Sequence, residues 1–298
     1  MPFTTLVSTD ALAAHLGDWA IVDCRFDLAN DGWGREQYAA GHIPGAVYAS
    51  LNDDLSAPRT GTNGRHPLPS PDALVASLQR LGITNGTQVV VYDQDSGLYA
   101  GRLWWLLRYA GHQAVALLDG GFAKWTGEGR PATAGVETRP LSTFRPAFDA
   151  AMHVTVDQVA RRAADGHTLL VDARGGDRFE GRTETIDKVA GHIPGAQNRF
   201  YRSNLAPDGT MLSADALRAA FIELLGGRDP RDAVMYCGSG VSACHNLLAM
   251  EHAGLPGSAL YTGSWSEWSA DPSRPVETGP PRTGPARTGP PRADRGRA

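Results

Sequence analysis

Short apolar runs alternate with amphipathic stretches along most of the chain. Ala20-Ile21-Val22 and Val89-Val90-Val91 read as buried strands, whereas residues 71–81 and 213–225 carry apolar positions at helical spacing. Strands alternating with helices predict parallel sheet covered on both faces. Ser70-Pro71-Asp72 and Ser213-Ala214-Asp215 have the chemistry of helix N-termini, the first with Pro at the opening helical position. Gly82 and Gly226 stand where those helices close.

The pattern occurs twice. Val22-Asp23-Cys24-Arg25 returns as Val171-Asp172-Ala173-Arg174, and Ala40-Gly41-His42-Ile43-Pro44-Gly45-Ala46 as Ala190-Gly191-His192-Ile193-Pro194-Gly195-Ala196, at offsets of 149 and 150 residues. Val89-Val90-Val91-Tyr92 is echoed by Ala233-Val234-Met235-Tyr236, and Gly120-Gly121-Phe122-Ala123-Lys124-Trp125 by Gly263-Ser264-Trp265-Ser266-Glu267-Trp268. A period this long marks two whole domains, since solenoid repeats run at roughly 20–50 residues. The expected division is an N-terminal domain over 1–127, a linker over 128–150 that mixes Gly, Pro, Thr and Arg, a C-terminal domain over 151–272, and a tail over 273–298. The tail repeats Thr-Gly-Pro-Pro/Ala-Arg three times from Thr278 to Arg292 and carries nothing able to build a core, so a disordered basic segment is expected.

Composition narrows the class. The 298 residues are 42% hydrophobic and 20% charged, ordinary for a soluble globular protein of two domains. No apolar run approaches the ~20 residues of a membrane span, and the N-terminus lacks the basic start and apolar centre of a signal peptide, so a cytoplasmic enzyme or binding protein is expected. Residues 278–298 hold five Arg and one Asp, a +4 tail within a net charge of −4, which leaves −8 on the preceding chain. An acidic body argues against nucleic acid as the main partner. Three cysteines, Cys24, Cys237 and Cys244, build neither a disulfide framework nor a four-thiolate zinc site. Nothing in the chain calls for a metal or an organic cofactor.

The duplication acts as an internal control: what both halves keep serves the fold, and what one half alone carries is a candidate for chemistry. On this test His42 and His192 are turn residues, and Asp23 with Arg25 and Asp172 with Arg174 pin strand ends through charge-assisted hydrogen bonds. The halves part after their matching tyrosines. One continues Asp93-Gln94-Asp95-Ser96-Gly97; the other continues Cys237-Gly238-Ser239-Gly240-Val241-Ser242. Cys237 therefore sits at a strand end, and Gly238 and Gly240 are able to take the positive φ values that curl successive N–H groups into an anion nest. A helix beginning near Ser242 adds its positive end, and together these favour a thiolate with no cation needed in the loop itself. Cys244, seven residues beyond Cys237, reads as a small core residue, and Trp104 and Trp105 as helix packing residues.

The duplicated domain, the paired Gly-His-Ile-Pro-Gly turns, the Cys237-Gly-Ser-Gly-Val-Ser loop and the Gly-Ser-Trp-Ser-Glu-Trp ending together resemble the two-domain rhodanese-type sulfurtransferases, over about residues 6–272. The resemblance implies two tandem α/β domains, each a parallel five-stranded sheet flanked by helices. It also implies an inactive N-terminal half and a persulfide carried on Cys237. Thiosulfate sulfurtransferases place Arg and Lys directly after the cysteine; the uncharged Gly238 and Ser239 instead resemble the 3-mercaptopyruvate branch, with Ser242 where that branch usually has Thr. Acceptors implied are thioredoxin, a small thiol or cyanide.

In this reading the Cys237 thiolate attacks the donor sulfur, pyruvate enolate leaves, and N–H groups from Gly238 to Ser242 hold the outer sulfur. Arg178 matches the family's substrate-binding arginine and suits a planar carboxylate. A second arginine is often found several residues later; here Asp187 and Lys188 occupy that region, leaving Arg182 or Lys188 as candidates. Ser239 is a donor to the substrate carbonyl. His66, in Gly64-Arg65-His66-Pro67, matches a histidine proposed to join the loop serine and an aspartate in a relay, although the aspartate position is Asn52, followed by Asp53 and Asp54. Two competing classes remain. A cysteine-dependent phosphatase wants Arg six positions after the cysteine, where this chain has Ala243. A non-catalytic interaction module would have no use for a cysteine retained in one half only.

Overall fold

The computed structural model describes residues 1–281, apart from the side chains of residues 164 and 165. The first half builds a sheet from β1 (Leu6–Val7), β2 (Ala20–Asp23), β3 (Ala46–Tyr48), β4 (Val89–Tyr92) and β5 (Val115–Leu118) in the order β1-β5-β4-β2-β3. The second half repeats it with β6 (His153–Val154), β7 (Leu169–Asp172), β8 (Gln197–Asn198), β9 (Ala233–Tyr236) and β10 (Ala259–Tyr261), ordered β6-β10-β9-β7-β8. Every pairing is parallel. The central strands β2, β4, β7 and β9 are buried on both faces, which is why they read as unbroken apolar runs.

The expected helix ends are present. Ser70 Oγ accepts from the Ala73 N–H ahead of helix Pro71–Arg80, and Ser213 Oγ accepts from the Ala216 N–H ahead of helix Ala214–Leu225. Gly82 and Gly226 adopt φ of +72° and +56° at the far ends.

The conserved pairs close the sheets symmetrically. Arg25 grips both oxygens of Asp23 and donates to the Gly41 carbonyl, while Tyr92 donates its hydroxyl to Asp23 at 2.8 Å. Arg174 does the same with Asp172 and the Gly191 carbonyl. His42 and His192 are buried, stack on Tyr38 and Phe179, and bond the carbonyls of those same residues. All are framework, as a residue shared by both halves should be.

Residues 128–150 are a strap and not a free tether. The Trp125 indole donates to the Pro131 carbonyl, Thr133 forms a β-bridge with His42, and Phe144 is buried. The second half ends the same way: Trp268 donates to Pro275, and Glu277 bridges His192. The ordered body thus runs past the expected boundary at 273, because each buried indole N–H needs an acceptor and takes it from the chain that follows. The rest of the basic tail lies outside the described residues.

Helices Ala100–Tyr109 and Ser242–His252 pack against each other between the sheets, each buried over nearly all its length. Trp104, Trp105, Leu106 and Leu107 from one half and Ala243, Cys244, Leu247 and Leu248 from the other belong to a single apolar cluster. Helices covered on nearly every side must be central, and their buried Arg102, His245 and Asn246 are hydrogen-bonded there. Both helices follow the loops at which the halves differ, so the domain interface brings those two loops together. Among the described residues no helix is long and apolar enough to cross a membrane.

Candidate active site

β9 ends at Tyr236, and Cys237 follows it into a tight loop with only 2% of its surface exposed. The Cys237 N–H donates to Ser264 Oγ at 3.1 Å, and its carbonyl accepts from the Trp265 N–H. The Ser239 N–H is directed at the Cys237 sulfur, 3.5 Å away. Only one of the two loop glycines takes the expected positive φ. Gly240 has φ +73°, and a Cβ there would lie 2.4 Å from the Thr262 carbonyl oxygen; at Gly238 the nearest neighbour of a Cβ is the end of the Arg65 side chain, 2.8 Å away. Helix Ser242–His252 then starts at Val241 without a side-chain cap, which leaves its first N–H groups for a ligand at the loop.

Ser264 is the single non-glycine residue with positive φ among the described residues, at +55°. It replaces Gly121 of the first half, whose φ is +59°. The αL backbone costs a residue with Cβ of order 1 kcal/mol. In return the fully buried hydroxyl satisfies the Cys237 N–H and donates to the Tyr261 carbonyl.

The loop opens onto a cavity of about 310 Å³ between the halves. Cys237, Gly238, Ser239, Val241 and Ser242 form one wall, Arg178, Phe200 and Tyr201 another, and Arg65, His66 and Tyr99 arrive from the first half. His66 is buried and its Nδ1 lies 2.8 Å from Ser239 Oγ. Burial, with the Arg102, Arg65 and Arg59 charges, pushes this imidazole down to about 3, so it is neutral. Its Nε2 has no partner. The expected carboxylate is absent from the pair: Asn52 accepts from Arg59, Asp53 pairs with Arg35, and Asp54 takes the Ser50 N–H and Arg80. A buried acceptor tolerates solitude better than a buried N–H. The proton therefore belongs on Nδ1, donated to Ser239, whose own hydroxyl proton is then free to point at a substrate.

Although the loop carries no cation, arginines surround it. Arg102, fully buried, donates to the carbonyls of Gly240 and His66 at 3.0 and 3.2 Å. Burial lowers its affinity for its proton, while the Cys244 and Cys237 sulfurs favour its charge. Arg178 takes both oxygens of Glu184 at 2.8–3.2 Å and one of Asp187 at 3.1 Å. The second guanidinium at the mouth is Arg65, held by Asp187 at 2.5 Å, and not Arg182 or Lys188. Arg182 pairs with Asp177 and Glu180 at the exposed surface, and Lys188 lines a neighbouring cavity with Arg59. Neither lines the cavity beside Cys237. Arg65 precedes the singled-out His66, but its role depends on packing between halves, as when its N–H bonds Ser266 Oγ across 201 residues of sequence. Cys244 is core: its thiol donates to the Gly240 carbonyl, and burial pushes it up to about 12.

Comparison with known proteins agrees with this geometry. The rhodanese-like domain family matches residues 8–128 and 155–271. A Pseudomonas aeruginosa protein provisionally named a 3-mercaptopyruvate sulfurtransferase is 45% identical over 283 residues, 94% of this chain and 100% of that one. Mycobacterium tuberculosis SseB, provisionally named a thiosulfate sulfurtransferase, is 42% identical over 264 residues, 87% of this chain and 91% of that one. The solved structure of 3-mercaptopyruvate sulfurtransferase from Leishmania major superposes with a TM-score of 0.80 at 32% identity, covering 89% of this chain and 74% of that one. Two matched domains, one sheet topology repeated, and a cysteine loop in the second copy alone make this chain a member of the tandem rhodanese-like family, whose named relatives are sulfurtransferases.

Proposed function

We propose that the chain is a sulfurtransferase that takes sulfur from 3-mercaptopyruvate, stores it as a persulfide on Cys237, and passes it to a thiol or to cyanide. The observation that carries the donor assignment is the Ser239 hydroxyl 2.8 Å from His66 in a loop without charged side chains. The Cys237 thiolate attacks the donor sulfur, forming the S–S bond while the C–S bond breaks and its electron pair passes into pyruvate enolate. Ser239, polarised by Nδ1–H of His66, donates to the oxygen on which that charge develops. Arg178 and Arg65 receive the donor's carboxylate. The enolate takes a proton and leaves as pyruvate. An acceptor thiolate, from thioredoxin or a small thiol, or cyanide, then attacks the outer sulfur and returns Cys237 as thiolate.

A sulfur held beside the Ser239 N–H and the uncapped helix start exchanges water for fixed dipoles, which suits an anionic persulfide. Thiosulfate is the second reading, favoured by the two arginines at the mouth and by the name of the 42% identical relative. Initial rates with each donor, following pyruvate or sulfite release beside a Cys237→Ser control, separate them. A kcat/KM higher for thiosulfate than for 3-mercaptopyruvate overturns the donor assignment. Absence of a one-sulfur mass gain on Cys237 with either donor overturns the enzyme.

A further inference from the structure

The charges at the cavity mouth form one alternating chain. Arg65 bonds Asp187, Asp187 bonds Arg178, Arg178 bonds Glu184, Glu184 bonds Arg174, and Arg174 bonds Asp172. Three guanidiniums meet three carboxylates, so the mouth is balanced before any donor enters. The carboxylates are well covered, with Glu184 at 4% and Asp187 at 6% side-chain exposure, where salt screens little. The loop of residues 184–187 is tied to itself, since the N–H groups of Ile186 and Asp187 both donate to Glu184.

Asp187 holds the central place. It stands where a second substrate arginine was expected, and its two oxygens bind the two guanidiniums that face the donor, one from each half of the chain. It does so from behind: Arg65 and Ile186 are shared walls of the donor cavity and of the neighbouring cavity, and Asp187 lines only the latter. A donor meets the arginine side chains, with the neutralising charge fixed one layer back. We propose that Asp187 is a specificity-determining residue, which orients Arg65 and Arg178 and cancels enough of their charge that the site admits a monoanionic sulfur donor and disfavours a dianionic one. The inference rests on the sulfurtransferase reading and supplies its charge rule. 3-Mercaptopyruvate enters with one carboxylate, which two oriented guanidiniums can satisfy by hydrogen bonds. Thiosulfate brings a second full charge beside an anionic Cys237, with Arg102 the one buried cation left to offset both.

The test is kcat/KM for both donors with wild type, Asp187→Asn and Asp187→Glu. Loss of the charge in Asp187→Asn is expected to raise the thiosulfate to 3-mercaptopyruvate ratio at least tenfold, and Asp187→Glu to keep the ratio near wild type. A purely structural role lowers both donors together. An unchanged or falling ratio in Asp187→Asn therefore overturns the proposal, whatever the starting preference of the wild type. A second measurement needs no variant: inhibition of wild-type turnover by pyruvate and by sulfate. Pyruvate is expected to inhibit at concentrations at least tenfold below sulfate, and sulfate inhibiting equally or better overturns the proposal. Turnover of neither donor by wild type sinks the sulfurtransferase reading itself, an outcome distinct from turnover with an unmoved ratio.

Discussion

The loops after β4 and β9 leave equivalent strands in two copies of one fold, and each carries its distinguishing side chain at the same point. In the first, Asp93 fills the position: its carboxylate accepts N–H groups from Asp95, Gly97, Tyr99 and Ala100. Burial raises its proton affinity and those N–H bonds pull it back. In the second, Cys237 stands there, and the N–H groups ahead of its helix are left for what its sulfur acquires. The loops also hold each other. His245, from the helix after the cysteine loop, bonds the Ser96 carbonyl of the first loop, while Arg102, from the helix after the first loop, bonds the Gly240 carbonyl of the cysteine loop. The Asp93 loop is clasped by a neutral imidazole, pushed down to about 4 by burial. The cysteine loop is clasped by a guanidinium. The same cradle is thus plugged by a carboxylate in one half and opens onto the cavity in the other, and the half without the thiol contributes His66 and Arg65 to the cavity wall and Arg102 behind the loop.

Replacing each occupant breaks the comparison most severely. Cys237→Ser is expected to abolish sulfur transfer, a fall of roughly three orders of magnitude or more, in steady-state rates with intact folding by circular dichroism. Asp93→Ala leaves buried N–H groups without an acceptor and is expected to cost about 3 kcal/mol in urea unfolding, with turnover per folded molecule changed less than about threefold. A stability change below about 1 kcal/mol would mean that water fills the plug equally well.

The clasps come next. Arg102→Met unpairs two carbonyls and removes the buried cation, about 2 kcal/mol of support or some thirtyfold in kcat/KM. Iodoacetamide alkylation of Cys237 at neutral pH should slow with it. Loss of turnover with unchanged alkylation would separate loop placement from charge. His66→Ala removes the polarising N–H, and kcat with 3-mercaptopyruvate should fall about tenfold while thiosulfate turnover moves less. Equal losses would make His66 a packing residue.

A further effect lies in pH. His66 and His245 are held neutral at about 3 and about 4, while the unfolded chain protonates them near pH 6.5. The unfolded state binds more protons across that interval, so stability contributed by the neutral rings is present above about pH 6.5 and drains away as pH falls toward 4. Melting temperatures at pH 7, 5.5 and 4.5 should decline in that order, and a flat profile would contradict the burial of both rings.

Much of this was legible in the sequence for a physical reason. Strand runs such as Val89-Val90-Val91, Ser caps and Gly stops act over a few residues, so local order reveals them. The duplication supplied a control that separated the shared Asp-Arg clasps and His turns from the lone cysteine. Gly238 lacks the positive φ expected of it, and its neighbour is the Arg65 guanidinium from the other half. Arg182 looked closer to the site than Arg65 because sequence distance was the only distance available.

By itself the chain determined the repeated parallel sheet and the loop carrying the lone cysteine, since hydrophobic periodicity, turn chemistry and a thiol at a strand end are local properties. Only the packing of helix Ala100–Tyr109 on helix Ser242–His252 decided which charges surround the sulfur. Electrostatics depends on separation in space, and residues 65, 102 and 187 become neighbours of the loop through folding alone.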